Sequence, residues 1–176
     1  MSTTTTRNPI TGRPALCLYH PNAKGNGSAV CLTPQAATAE NDGALVVAVA
    51  KQKTVADLGA EDPARRYATF DWTTAVRVRL DPLEVAELLA VVGGQSSALS
   101  HAGTDGIFHN CPERTVSMEF KRSEDPCRPG FLLGMGETPK ADPNARQYRT
   151  FTFYPAEALL LRHALVGVLP RLCFGA

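Results

Sequence analysis

A short run with two glycines and a lysine is the first candidate for binding chemistry. Residues 19–30 read YHPNAKGNGSAV, in which a turn-forming segment precedes small residues that favour a strand. Glycines let backbone amides approach an anion closely, and the Lys24 ammonium adds a positive charge. The run is not a P-loop, because it lacks the first glycine and the Lys-Ser/Thr pair that opens a helix. A phosphate contact and an ordinary solvated turn both remain open at this point.

Two short pairs of cysteine and histidine offer ligand types for zinc. Cys17 and His20 form a Cys-x-x-His, and His109 and Cys111 form a His-x-Cys. Neither pair has the spacing of a zinc module, and a thiol in an apolar stretch is usually buried packing. We therefore expect no metal and no other cofactor, with a zinc site as the minor alternative.

The residue types of acid-base or nucleophilic catalysis do not form a recognisable group. The chain has no Gly-x-Ser-x-Gly and no His-Glu-x-x-His, and His163 lies among leucines of a predicted helix. The sequence therefore predicts a protein that is not an enzyme.

Cations recur on or beside the predicted strands, and several have an aromatic neighbour. Positive charge suits the phosphates of a nucleic acid, and exposed rings suit the stacking of unpaired bases. The formal net charge is only +1, so such a site depends on where the charges lie rather than on their number. The cations are Lys51, Lys53, Arg77, Arg79, Lys121 and Arg149, and the aromatic residues are Tyr67, Trp72 and Tyr148.

Composition limits the class of protein. The chain has 176 residues, with 44% apolar and 20% charged side chains, which is ordinary for one globular domain. Its apolar runs fall short of the roughly 20 residues of a membrane span. We expect residues 1–15, which are polar, to be a flexible tail before a single domain of residues 16–176. The five cysteines are an odd number without a Cys-x-x-Cys pair, which argues against a disulfide framework and favours a reducing cytoplasm.

The elements that must position these residues follow the same order twice. Strands are predicted at residues 28–32, 43–50 and 75–80, before a helix that begins at Pro82 and ends at Gly93 and Gly94. After a linker at residues 95–106, strands are predicted at 107–109, 115–121, 131–136 and 147–153, before a helix from Pro155 to about Leu169.

An internal repeat accounts for that order. When the two halves are aligned with an offset of 73 residues, Pro155 aligns with Pro82 and Glu157 aligns with Glu84. Proline and glutamate are common where helices begin, so the shared order of elements is the stronger argument. The repeats span about residues 16–94 and 106–176.

Four motifs in order resemble one family. KGNGSAV, residues 24–30, is similar to a Lys-Gly-Lys-Ala-Ala-Leu motif; Asp71-Trp72, Phe108-His109 and Val168-Leu169-Pro170 match three further short motifs. These segments resemble the plant Whirly single-stranded-DNA-binding proteins and their kinetoplastid mitochondrial RNA-binding relatives. The likeness runs from about Leu18 to the C-terminus.

The resemblance implies an α+β fold of two β-β-β-β-α repeats, with two roughly perpendicular four-stranded antiparallel sheets and helices packed on them. It also implies a homotetramer joined through the helices, with single-stranded DNA along the exposed sheet faces. RNA binding or annealing on the same fold, or a protein-assembly module, are the alternatives. The helix residues expected at the oligomer centre are Val85, Leu88, Leu89, Leu159, Leu160 and Ala164. The residues predicted to bind nucleic acid are Lys24, Gly25, Asn26, Gly27, Ser28, Lys51, Lys53, Tyr67, Trp72, Arg77, Arg79, Lys121, Tyr148 and Arg149.

Overall fold

A computed structural model describes residues 3–9, 12, 14–57, 59, 61, 66–127 and 129–175, with only the backbone of residues 3–7. The first antiparallel sheet follows chain order, β1-β2-β3-β4-β5. Its strands are β1 (Thr3–Arg7), β2 (Pro14–His20), β3 (Ser28–Gln35), β4 (Ala44–Thr54) and β5 (Thr69–Leu80). The predicted four-stranded sheet is therefore present as β2 to β5, and β1 adds a fifth strand at its edge.

Strand β1 lies within the segment for which a flexible tail is predicted. It pairs with β2, with Thr3 opposite Tyr19 and Thr5 opposite Cys17. Threonine favours extended backbone because its branched side chain restricts rotation, which suits the run of four threonines to a strand. Residues 1, 2, 10, 11 and 13 of the segment lie outside the described residues.

The second antiparallel sheet has the strand order β11-β10-β9-β8. Its strands are β8 (Ile107–Asn110), β9 (Arg114–Arg122), β10 (Phe131–Pro139) and β11 (Gln147–Phe153). The segment between the repeats is more ordered than a loose linker, since it contains a small hairpin of β6 (Ser100–His101) and β7 (Thr104–Asp105). Its turn uses left-handed backbone at Ala102 and Gly103.

One helix follows each sheet. Helix α1 (Pro82–Val92) has the predicted bounds, and Asp81 and Glu84 form a capping box. Helix α2 (Pro155–Phe174) extends beyond the predicted end near Leu169. Pro170 lacks an amide hydrogen and so loses one helical bond, but Leu172 is buried and anchors the last turn.

The core lies between the two sheets and under both helices. The inward faces of the strands meet there, and Phe120, Phe151 and Phe153 form an aromatic group with edge-on contacts. Val85 and Leu88 of α1 are buried in this core, so these two residues are not available as the centre of an oligomer, whereas Leu89 packs against the core and is only partly buried. Their spacing makes one helical stripe, which covers the sheets of its own chain.

A disulfide joins Cys17 and Cys31, although the cysteine count argued against one. The two residues are directly opposite in the register of β2 and β3. Opposed residues of antiparallel strands have neighbouring Cβ atoms, a relationship that a count of cysteines does not reveal. The odd number of cysteines was the reason to expect a reducing cytoplasm, and this disulfide means that the cysteine count no longer supports that expectation.

In the part of the chain that the structure describes, neither helix meets the length and hydropathy that a membrane span requires.

Candidate nucleic-acid interface

Several predicted binding residues meet at one end of the first sheet, which we call the loop end. Here the loop of residues 21–27 joins β2 to β3, and Ser28 lies opposite Lys51, which lies opposite Asp71 on β5. Lys24, Lys51 and Lys53 are all exposed at this end. This end of the sheet therefore carries three exposed lysines, with Lys51 and Lys53 on the face of β4 opposite Gln52.

An aromatic pocket of about 770 Å³ opens beside that loop. Tyr19 forms its centre, with its ring 5.3 Å from Phe70 and 6.2 Å from Trp72, both measured between centroids. Tyr67 stands at the rim with 74% of its surface exposed. The remaining lining residues are Pro9, Pro21, Asn22, Ala23, Val55, Ala56, Arg66, Ala68 and Thr69. An open apolar pocket lined by aromatic rings, with Arg66 among its lining residues, has a surface on which an unpaired base could stack.

A wide bulge in β5 brings Trp72 to this pocket. The register passes from Val49 opposite Val76 to Lys51 opposite Asp71, so the four β5 residues 72–75 span the interval that Ala50 alone spans on β4, and β5 has three extra residues there. The Arg77 guanidinium donates hydrogen bonds to the carbonyl oxygens of Trp72 and Ala75. Arg77 thus stabilises the bulge through contacts within its own chain.

The carboxylate of Asp71 fixes the other side of the bulge. It accepts hydrogen bonds from the hydroxyls of Thr73 at 2.5 Å and Thr74 at 2.8 Å. These bonds favour the charged form and lower the pKa of Asp71 to about 2. The bulge therefore carries a negative charge throughout the physiological pH range.

The amides of the loop donate hydrogen bonds within the protein. Asn22 Oδ1 accepts from the amides of Lys24 and Asn26, and Gln52 Oε1 accepts from the amide of Gly27. The amide of Gly25 donates to the carbonyl of Asn22. In this conformation the Lys24 ammonium, rather than the glycine amides, is the loop's group for contacting an anion.

The open face of the second sheet carries a separate aromatic platform. Cross-strand pairing aligns Phe108, Ser117, Gly136 and Tyr148 in one row. The Tyr148 ring lies over Gly134 and Gly136, and a Cβ atom on Gly134 would collide with its hydroxyl. Burial raises the pKa of Tyr148, and the neighbouring Glu119 adds to this shift.

Phe108 and Lys121 border this platform. Phe108 is 62% exposed at the β8 edge. Lys121 is exposed on β9 opposite Leu132. The platform therefore combines the rings of Phe108 and Tyr148 with the Lys121 ammonium. Gly134 and Gly136 have no side chains, so the Tyr148 ring can lie flat on the sheet.

Two predicted arginines are not in either group. Arg79 donates to the carbonyl of Asp42 at 3.0 Å, towards the end of the first sheet that is opposite the loop end. Arg149 lies two residues before Phe151 on β11, so both side chains are on the inward face of the strand, whereas Tyr148 is on the outward face. The Arg149 guanidinium donates hydrogen bonds to the Tyr148 carbonyl and to Gln147 Oε1. Both guanidinium groups donate hydrogen bonds within the chain, while the buried Nε of Arg149 has no partner among the described residues.

Three of the four residues in the candidate zinc pairs are used in other contacts, and Cys111 is a free cysteine. Cys17 is disulfide-bonded and directed to the face opposite His20, whose ring binds Glu157. His109 binds Glu84. Among the described residues there is no group of three or more histidine, cysteine or acidic side chains that could hold a metal ion.

Sequence reasoning missed Tyr19 and Gln52, and it left Phe70 out of the final stacking candidates although Phe70 lies between Tyr67 and Trp72 in the sequence. Phe70 and Trp72 are two residues apart, so strand alternation could have placed them on one face. The same alternation puts Gln52 on the face opposite Lys51 and Lys53, where a polar residue would be buried. The approach of Tyr19 to Trp72 depends on the order of strands, which no local pattern encodes.

Solved structures with the same architecture identify the fold. The chain superposes on WHY1 of Arabidopsis thaliana with a TM-score of 0.68 and 18% sequence identity, covering 96% of this chain and 89% of that one. The chain has a Whirly-like fold. The plant transcriptional regulator PBF-2 matches with a TM-score of 0.63 and 15% identity over 90% of this chain and 81% of that one. The trypanosome proteins MRP1/MRP2 match with a TM-score of 0.59 and 17% identity over 93% and 95%.

The Whirly-like fold is recognised here from structure and not from overall sequence similarity. No protein-family model matches the sequence, and no curated protein matches it. At sequence identities of 15–18%, these matches establish the fold of the chain. The function of its site depends on this chain's own residues.

Proposed function

We propose that this protein binds single-stranded DNA with little sequence preference, in DNA maintenance or transcription. The aromatic pocket is the observation that carries the proposal. Tyr19, Phe70 and Trp72 form an open ring-lined cavity directly beside the exposed Lys24 loop. Every base has a π-face and every nucleotide a phosphate, so rings next to ammonium groups favour single strands without reading sequence.

The position of the lysines supports a route for the strand. Lys51 and Lys53 leave β4 at the same end of the sheet as the Lys24 loop. Because Lys51 and Lys53 alternate with Gln52, which pairs with Phe70, they face the side of the sheet opposite the pocket. A strand that contacts these lysines and the pocket would therefore pass round this end of the sheet. A duplex keeps its bases stacked and paired, so it could not fill the pocket in the same way.

A homotetramer joined through α2 is the second part of the proposal. Leu159 and Leu160 are 54% and 41% exposed, and Val166 and Phe174 are also exposed on the same helix. Apolar side chains on one exposed helix favour burial against another copy of the chain. The assembly would bring several binding sites together and increase affinity for long strands.

RNA is the second candidate ligand. The rings and ammonium groups of the site contact parts that DNA and RNA share, and the recognition of RNA would need a contact to the 2′-hydroxyl. The fold is also that of the trypanosome proteins MRP1/MRP2.

Trp72 offers a direct test because it is the chain's single tryptophan. Addition of an oligothymidylate should quench its fluorescence to saturation, and added salt should reverse the quenching. A duplex of equal length should quench it weakly. Binding without any change in Trp72 emission would exclude the pocket as the site, and no binding would reject the proposed function.

A further inference from the structure

Gln52 is a buried amide at the centre of the loop end. It lies on β4 between two exposed lysines and is only 7% exposed. Its Oε1 accepts from the amides of Asn22 at 2.9 Å and Gly27 at 3.1 Å. Its Nε2 donates to the carbonyls of Asn22 and Thr54, each at 3.0 Å. The side chain thus uses two donors and two acceptor positions, which is the full capacity of a carboxamide.

These bonds hold both ends of the loop. Asn22 is near its beginning and Gly27 is at its end, and the backbone amide of Gln52 also donates to the Gly27 carbonyl at 2.8 Å. A Cβ atom on Gly27 would collide with Gln52 Oε1 and with the His20 carbonyl, so the loop lies directly on the glutamine. Asn22 in turn holds the tip of the loop, because its Oδ1 accepts hydrogen bonds from the backbone amides of Lys24 and Asn26.

The same loop is a wall of the aromatic pocket. Pro21, Asn22 and Ala23 line it together with Tyr67 and Trp72. Any movement of the loop would therefore displace Lys24 and reshape the pocket together. The groups assigned to the phosphate and to the base are connected through one side chain.

We infer that Gln52 is a positioning residue that sets the place of Lys24 relative to the aromatic pocket. This inference rests on the proposed function, since it assigns to Gln52 a part in binding single strands. Gln52 acts through the loop and contacts no phosphate or base itself. A preformed loop reduces the ordering cost of binding, so its loss weakens affinity without removing any charge.

Gln52→Met tests the inference, because methionine keeps an unbranched side chain of similar length and removes all four hydrogen bonds. The matched control is Gln35→Met, at an exposed position where β3 ends. In the free protein, the amides of Asn22 and Gly27 should exchange hydrogen about tenfold faster or more in Gln52→Met. Amides of the central strand β9 should be unchanged. Equal protection of Asn22 and Gly27 in both variants, or an equal loss in β9, would overturn the inference.

Binding is then measured with an oligothymidylate across a range of salt. Gln52→Met should bind roughly three- to tenfold more weakly at every salt concentration, with an unchanged salt slope, because the lysines remain. Acrylamide should quench Trp72 more readily in this variant, since one pocket wall has loosened. Wild-type affinity or an altered slope would contradict the positioning role.

The two proposals fail in different ways. If wild-type protein binds no oligonucleotide, the proposed function fails. The exchange and acrylamide measurements still decide whether Gln52 holds the loop and the pocket wall, because they need no ligand.

Discussion

His20 Nε2 lies 2.8 Å from Glu157 Oε1, and this contact joins the first strand of one repeat to the helix of the other. The equivalent contact, between His109 Nε2 and Glu84 Oε1, measures 2.6 Å and joins the repeats in the opposite direction. Each glutamate also accepts, through Oε2, from the backbone amide three residues before it. The duplicated helix starts therefore carry a duplicated and reciprocal histidine contact.

The His20 contact should contribute measurably to stability. His20→Ala should lower the free energy of unfolding by about 1–3 kcal/mol, since Glu157 loses a partner in a partly buried site. A double-mutant cycle with Glu157→Ala should give a coupling of about 0.5–3 kcal/mol by denaturant unfolding. His163→Ala, an exposed histidine on α2, should change stability by less than about 0.5 kcal/mol. Strictly additive single changes would show that His20 and Glu157 do not interact.

Asp71 should titrate far below an ordinary aspartate. The hydroxyls of Thr73 and Thr74 lower its pKa to about 2, so NMR of the carboxyl carbon should place the midpoint there. Thr73→Val should raise the pKa by removing one of these bonds, while Thr152→Val on the second sheet should not. A depressed pKa stabilises the folded state above the carboxyl's ordinary value, and this contribution disappears as the pH falls towards 2. A wild-type midpoint at the ordinary value would show that the bulge does not hold Asp71 as described.

The exposed helix face should control assembly. Leu160→Glu should dissociate the tetramer into smaller species that remain folded, because Leu160 is exposed within one chain and its loss opens no internal cavity. Light scattering gives the mass, and circular dichroism checks the fold. Leu132→Glu, an exposed leucine on the second sheet, is the control and should leave the mass unchanged. A normal tetramer from Leu160→Glu would place the interface elsewhere.

The fold was largely predictable, but the form of the site was not. Regular alternation along β11 and the capping signals of α1 gave the correct bounds for both elements. The Trp72 bulge was not predictable, since it depends on Arg77 reaching back to backbone carbonyls. The sequence also did not indicate that the guanidinium groups of Arg77 and Arg149 bond to carbonyls of their own chain.

The lysines of the loop end should set the salt dependence of binding. Lys24→Ala with Lys53→Ala should weaken single-strand binding and reduce the salt slope by about 1.4, since each phosphate contact of a single strand contributes about 0.7. Lys140→Ala, an exposed lysine just after β10, should change neither quantity. An unchanged slope in the double variant would show that the strand follows another path.

The most direct test is fluorescence anisotropy with labelled single-stranded DNA, duplex DNA and single-stranded RNA of equal length, each at low and moderate salt. We predict preference for single strands over the duplex, with affinity that falls steeply as salt rises. The ratio of DNA to RNA affinity decides between the two candidate ligands. Equal affinity for the duplex, or no binding to any of the three, would contradict the proposed function, and the latter would make a protein-assembly role the leading alternative.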